Sequence, residues 1–145
     1  MALIGLNAKL YRNTGTYGSP TWDEVTPVRD LSLNLETGEA DGSSRGGGGW
    51  RQVLAGLKDG SVEFELVWES GDADFEAFRD AWLNQTLIDC WVLDGGSATS
   101  GSQGLRAEFS VTNFSRNEPL EEVLTAQVSM RPGVSSNAPS WDEVA

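Results

Sequence analysis

Apolar and polar residues alternate with a period of two along most of this chain, the mark of strands that bury one face. Val28, Leu31, Leu33 and Leu35, set against Ser32, Asn34 and Glu36, predict a strand over 28–36. The densest stretch, WRQVLAGLKDGSVEFELVWE at 50–69, centres on Asp59-Gly60, a dipeptide suited to a two-residue type I′ turn. A hairpin there would set Leu57 opposite Val62, Ala55 opposite Phe64 and Val53 opposite Leu66 on one apolar face. Ser61, Glu63, Glu65 and Lys58 would fall on the other. Residues 87–93 (LIDCWVL) are apolar on both faces, as expected of a central strand. Leu105, Ala107, Phe109 and Val111 alternate with polar residues until the phase slips at Asn113-Phe114, which predicts a bulge. Leu124, Ala126, Val128 and Met130 give a further strand, and a weaker one is expected over 5–12.

One segment changes period. In GDADFEAFRDAWLN, Phe75, Phe78 and Trp82 recur at helical spacing, Asp72 or Asp74 can cap the start, and the acidic first turn suits the helix dipole. The predicted helix covers residues 72–84. The fold class that follows is mainly β: a β-sandwich or barrel of about six to eight antiparallel strands with one flanking helix. The whole chain, 1–145, reads as a single domain. Residues 37–49 (TGEADGSSRGGGG) hold no large apolar residue and are expected to form a long Gly-rich loop. Residues 95–104 form a second loop, and 132–145 an extended C-terminal tail. SPTWDEVT at 19–26 is echoed by APSWDEVA at 138–145, although the flanks do not match. The echo is either chance or two extended segments that each offer a Trp, Trp22 and Trp141, to similar grooves.

Composition narrows the chemistry. A net charge of −12 is wrong for a protein that grips nucleic acid by its phosphates. The absence of His removes the commonest general base and metal ligand. Cys90, the single Cys, lies in the apolar run 87–93 and reads as a core residue. RGGGGWRQ lacks the Gly-Lys-Ser/Thr ending of a phosphate loop, and the Asp pairs lack calcium-loop spacing. No catalytic residue, cofactor or metal site is expected. The N-terminal stretch has no basic leader and no run long enough to span a bilayer, so neither a signal peptide nor a membrane partner is expected.

Three segments carry a resemblance: MALIGLNAKLYRNTGTYGSPTWDEVTPVRDLSLNLE, GEADGSSRGGGGWRQVLAGLKDGSVEFELVW and GSQGLRAEFSVTNFSRNEPLEEVLTAQVSMRP. In this order they resemble the major tail tube proteins of long-tailed, non-contractile bacteriophages, and the fold of the type VI secretion tube. The resemblance implies a β-sandwich flanked by a helix and a non-enzymatic role. Subunits would form rings, usually hexameric, that stack into a tube around the tape measure protein. Tail terminator and distal tail proteins would be further partners, and double-stranded DNA would pass without specific binding. The protein would be assembled in the host bacterial cytoplasm and end in the virion tail. Glu39, Asp41, Arg45, Trp50 and Arg51 of the long loop, with Trp22 and Trp141, are then the candidate inter-subunit contacts. Glu63 and Glu65, or alternatively Asp30 and Glu36, are the candidate acidic residues facing the lumen, the other set then facing outside, with the hairpin pair preferred.

The competing reading is a carbohydrate- or ligand-binding β-sandwich module without catalysis. A small hydrolase ranks third, disfavoured by the lack of His.

Overall fold

The computed structural model of the chain describes residues 8–118, 120 and 124–145. Eight antiparallel strands form a curled half-barrel sheet: β1 (Lys9–Asn13), β2 (Trp22–Glu24), β3 (Val28–Asp41), β4 (Val53–Val67), β5 (Leu87–Leu93), β6 (Gln103–Asn117), β7 (Thr125–Pro132) and β8 (Ser140–Glu143). Their spatial order is β2-β1-β5-β6-β7-β4-β3, with β8 paired to the first part of β6. One helix, α1 (Ala73–Leu83), lies against β5 and β6. The mainly β class and the single helix are as the sequence predicts. The first three residues of the strand expected over 5–12 lie outside the described residues.

The long alternations become strands where expected. Val62, Phe64 and Leu66 of β4, with Ala126, Val128 and Met130 of β7, point into one core. The phase slip in β6 is a register shift between Val111 and Asn113. β5 is covered on both sides, as its composition requires. Ile88, Cys90 and Val92 join the main core, while Trp91 and Leu93 join Tyr11 in a smaller cluster behind the sheet. Burial above all drives the Cys90 thiol far above its ordinary pKa, so it is an inert core group.

The Asp59-Gly60 turn is not formed. β4 runs straight through it and pairs with β3, with Leu35 opposite Gly60, Glu36 opposite Asp59 and Thr37 opposite Lys58. The turn chemistry loses because β3 supplies a full ladder of backbone partners, and Gly60 is buried under Leu35. The chain reverses instead at 42–52, where Gly48 (φ 66°) and Gly49 (φ 89°) supply the left-handed backbone that a hairpin end needs. Residues 37–41, expected in the loop, therefore belong to β3. The expected apolar pairing of Leu57 with Val62 is also lost, and Leu57 is 89% exposed.

The C-terminal segment is not wholly a tail, because Ser140–Glu143 pairs with β6. On α1, Asp72 is the cap: its carboxylate accepts the Phe75 N–H at 3.1 Å. Phe75 and Phe78 are buried, and Phe78 meets Phe64 edge-on at 5.2 Å. The inward stripe then shifts to Ala81, leaving Trp82 46% exposed. Arg12 ties β1 to the helix through Asp74 at 2.9 Å. Desolvation raises the Asp74 pKa, and Arg12 opposes that shift.

Phe78→Ala should destabilise the fold by about 3–5 kcal/mol, whereas Trp82→Ala should change it by less than about 1 kcal/mol. Chemical denaturation of the two variants beside the wild type measures both.

Candidate assembly surfaces

β4 has β7 as a neighbour only over Val62–Val67. From Val53 to Ser61 its partner is β3 alone, so the distal halves of β3 and β4 form a two-stranded arm that leaves the body. A register shift between Thr37 and Glu39 marks its middle, where Gly38 and Gly56 pass so closely that a Cβ on Gly56 would come within 3.1 Å of the Gly38 carbonyl. At the tip, Arg45–Gly47 makes one 3-10 turn, and the Ser43 hydroxyl accepts the Gln52 N–H at 2.8 Å. Of the predicted contact residues, Glu39, Asp41, Arg45, Trp50 and Arg51 all lie exposed on this arm. So do Leu54 and, contrary to the buried face the sequence predicts for them, Val53 and Leu57. An isolated two-stranded ribbon bearing exposed apolar side chains is marginal alone and calls for a partner.

The polar face of the sheet collects the predicted carboxylates. Glu63 lies opposite Ser32 and Ser129, and Glu65 lies opposite Arg29 and Gln127, whose amide donates to it at 2.6 Å. Beyond them stand Asn113 and Ser115 of β6. Glu36 pairs with Asp59, which lies on the same face of β4 as Glu63 and Glu65. The two candidate sets are therefore not on opposite walls. Asp30 stands apart, in a left-handed conformation (φ 49°) within the irregularity between Arg29 and Ser32, outside the pairing ladder. The cation Arg131 is engaged by Asp59 at 3.0 Å.

The echoed segments become two short strands, β2 and β8, each pairing with one neighbour. Their tryptophans differ. Trp22 is half-buried against Trp91 at 5.3 Å and lies under the Arg106 guanidinium at 4.9 Å. Arg106 also stacks on Tyr17 at 3.9 Å, donates to the Tyr17 carbonyl at 3.0 Å and pairs with Asp89 at 2.8 Å, pinning the 14–21 loop to the sheet. Trp141 is 55% exposed, its indole N–H donating to Gln103 at 2.9 Å. The sequence reading missed Arg106 and Asp89, which carry no motif; their pairing depends on β5 and β6 being neighbours.

Among the described residues, no group of three or more His, Cys, Asp or Glu is placed to hold a metal ion. Also among them, no helix is long and apolar enough to cross a membrane. The outer edges of β2 and β3 have no strand partner among the described residues. A sheet open at both ends, with an exposed apolar arm, defines a structural subunit built to associate.

The family comparison is specific. A family model described as phage tail tube protein matches residues 9–133, and the chain belongs to that family. No curated protein matches it. Among solved structures, it is similar to a chain in the tail of an empty gene transfer agent particle refined with C6 symmetry. That match has a TM-score of 0.73 at 19% identity and covers 97% of this chain and 99% of that one. The SPP1 tail tube, solved by solid-state NMR and cryo-EM, matches with a TM-score of 0.70 at 15% identity, over 90% of this chain and 75% of that one. A chain of the anti-feeding prophage baseplate matches with a TM-score of 0.60 at 12% identity, over 99% and 97%.

The two tryptophans of the echo should separate in stability. Trp22→Ala should cost about 2 kcal/mol by removing the packing under Arg106, and Trp141→Ala less than about 1 kcal/mol. Thermal melts of the two variants compare them directly.

Proposed function

We propose that copies of this chain form rings, six subunits each, that stack into the tail tube through which double-stranded DNA leaves the particle. The observation that carries this reading is the combination of two sheet edges and an arm of exposed apolar side chains that have no partner among the described residues. Family membership and the sixfold symmetry of the similar gene transfer agent tail support it. The arm is the inter-ring element, and Trp141 is a further contact. The tape measure protein fills the lumen before ejection, and terminator and distal tail proteins close the ends. Assembly takes place in the host cytoplasm, and the product resides in the virion tail. The chain performs no catalysis.

The polar face bearing Glu36, Glu63 and Glu65 is assigned to the lumen. Most of its remaining side chains are Ser, Asn and Gln, its Arg131 is held by Asp59, and its Arg29 stands opposite Glu65. Lysine or arginine free on that wall would pair with phosphates, releasing counterions and holding the duplex. Carboxylates repel it within about 8 Å at physiological ionic strength.

Two experiments test this reading. Replacing residues 39–56 with a two-residue Asn-Gly turn should leave a folded monomer that forms no tubes in negative-stain images. Unchanged polymerisation would reduce the arm to a linker. Glu63→Lys with Glu65→Lys should preserve tubes but slow DNA ejection by about tenfold or more in particles carrying the variant. Normal ejection from such tubes would place this face elsewhere.

A further inference from the structure

The polar wall carries cations as well as carboxylates, and each cation stands against a carboxylate. Strand alternation puts Arg29 of β3 and Arg131 of β7 on the same face as Glu36, Asp59, Glu63 and Glu65. Lys58 falls on the other face, with Gly60 and Val62. Arg131 donates from one nitrogen to both carboxylate oxygens of Asp59, at 3.2 and 3.0 Å. Arg29 forms no ion pair among the described residues. It lies directly opposite Glu65 in the β3–β4 ladder, where facing Cβ atoms are about 5 Å apart. The Gln127 amide holds the same carboxylate from β7 at 2.6 Å.

Both arginines stand where backbone pairing stops. Arg29 borders the irregularity between Arg29 and Ser32, and Arg131 lies one residue past Met130, the end of the β4–β7 ladder. They tie strands together at those breaks, and their charge comes with the tie. The carboxylates of the wall are therefore not equivalent. Asp59 and Glu65 stand against an arginine, whereas Glu36 and Glu63 form no ion pair among the described residues.

Stability does not explain the Arg131–Asp59 pair, because both side chains are more than half exposed and such pairs contribute little. Its effect is on the field. A guanidinium 3.0 Å from a carboxylate is well inside the screening length of about 8 Å, so a passing duplex meets almost no net charge. Without the carboxylate, the same guanidinium is a planar fork that matches a phosphate.

We propose that Asp59 and Glu65 mask Arg131 and Arg29 from DNA moving along the wall, and that Glu36 and Glu63 supply its repulsion. The proposal rests on assigning this face to the lumen, and it divides the carboxylates of that face between two roles.

Four single changes test it: Asp59→Asn, Glu65→Gln, Glu36→Gln and Glu63→Gln. Each removes one negative charge per subunit, so total charge is matched. Negative-stain images confirm that tubes form, and DNA release from particles carrying each variant is timed at several sodium chloride concentrations. Asp59→Asn and Glu65→Gln should slow release about tenfold at low salt, and the slowing should fade as salt rises, because a freed arginine releases counterions when it meets a phosphate. Glu36→Gln and Glu63→Gln should slow it less than about twofold, since they free no cation. Removing the cation should rescue: Asp59→Asn with Arg131→Gln, and Glu65→Gln with Arg29→Gln, should release DNA at close to the wild-type rate. Equal slowing by all four single variants would overturn masking and leave the lumen assignment intact, with total charge then setting the rate. Slowing that persists after the arginine is removed would also overturn masking. Wild-type rates in Asp59→Asn and Glu65→Gln would do the same. If Glu63→Lys with Glu65→Lys then also released DNA normally, the lumen assignment would fall with it.

Discussion

The pairing of β3 with β4 along nearly their whole length is the constraint on which the rest of the structure depends. In the body it closes the core, because the same β4 residues that pair with β3 also pair with β7. Past Ser61 the same ladder continues without a third strand and becomes the arm. One register thus serves two purposes. It places Val62, Phe64 and Leu66 under the helix, and it aligns Glu36 and Asp59 with Glu63 and Glu65 on the reverse face. A one-residue slip would exchange those faces, exposing the aromatic core and burying the carboxylates.

Body and arm are stabilised by different means. The body relies on buried aromatic and aliphatic packing, with Phe64 and Phe78 at its centre and β5 covered on both sides. Partly buried ion pairs, Arg12–Asp74 and Arg106–Asp89, lock the helix and the 14–21 loop onto that sheet. Their value lies in orientation as much as in energy, since the partners lost hydration to meet. The arm has neither resource. It has backbone hydrogen bonds and a side-chain bridge between Ser43 and Gln52, and it exposes the apolar groups that a core would hide.

Period-two alternation located the strands of the body well, because burial on one face writes itself into local sequence. The same rule misread residues 50–60. Asp59-Gly60 has the chemistry of a tight turn, but β3 offers a continuous ladder, and tertiary pairing overrode local preference. Val53 and Leu57 look like core residues because apolar side chains on an exposed ribbon obey the same alternation as those of the interior. The clue available was the close approach demanded by Gly38 and Gly56, legible only once their strands are paired. The Trp-Asp-Glu-Val echo was visible as a string. That one copy buries its Trp beneath Arg106 while the other exposes it follows from different neighbours, β1 in one case and β6 in the other.

The pairing of β1 with β5 has a consequence for how the protein comes into being. Lys9 meets Leu93, so the first described strand waits for more than eighty residues of synthesis before its partner exists. The β3–β4 ribbon, closed by a short Gly-rich reversal, can form long before that. During translation the ribbon with its exposed apolar side chains is therefore complete while the body that should restrain it is not. Nascent chains on one polysome would present exposed apolar ribbons to each other before any finished sheet could orient them. The high net negative charge of the chain then acts in time as well as in space, keeping unfinished subunits apart until each has closed around its own core.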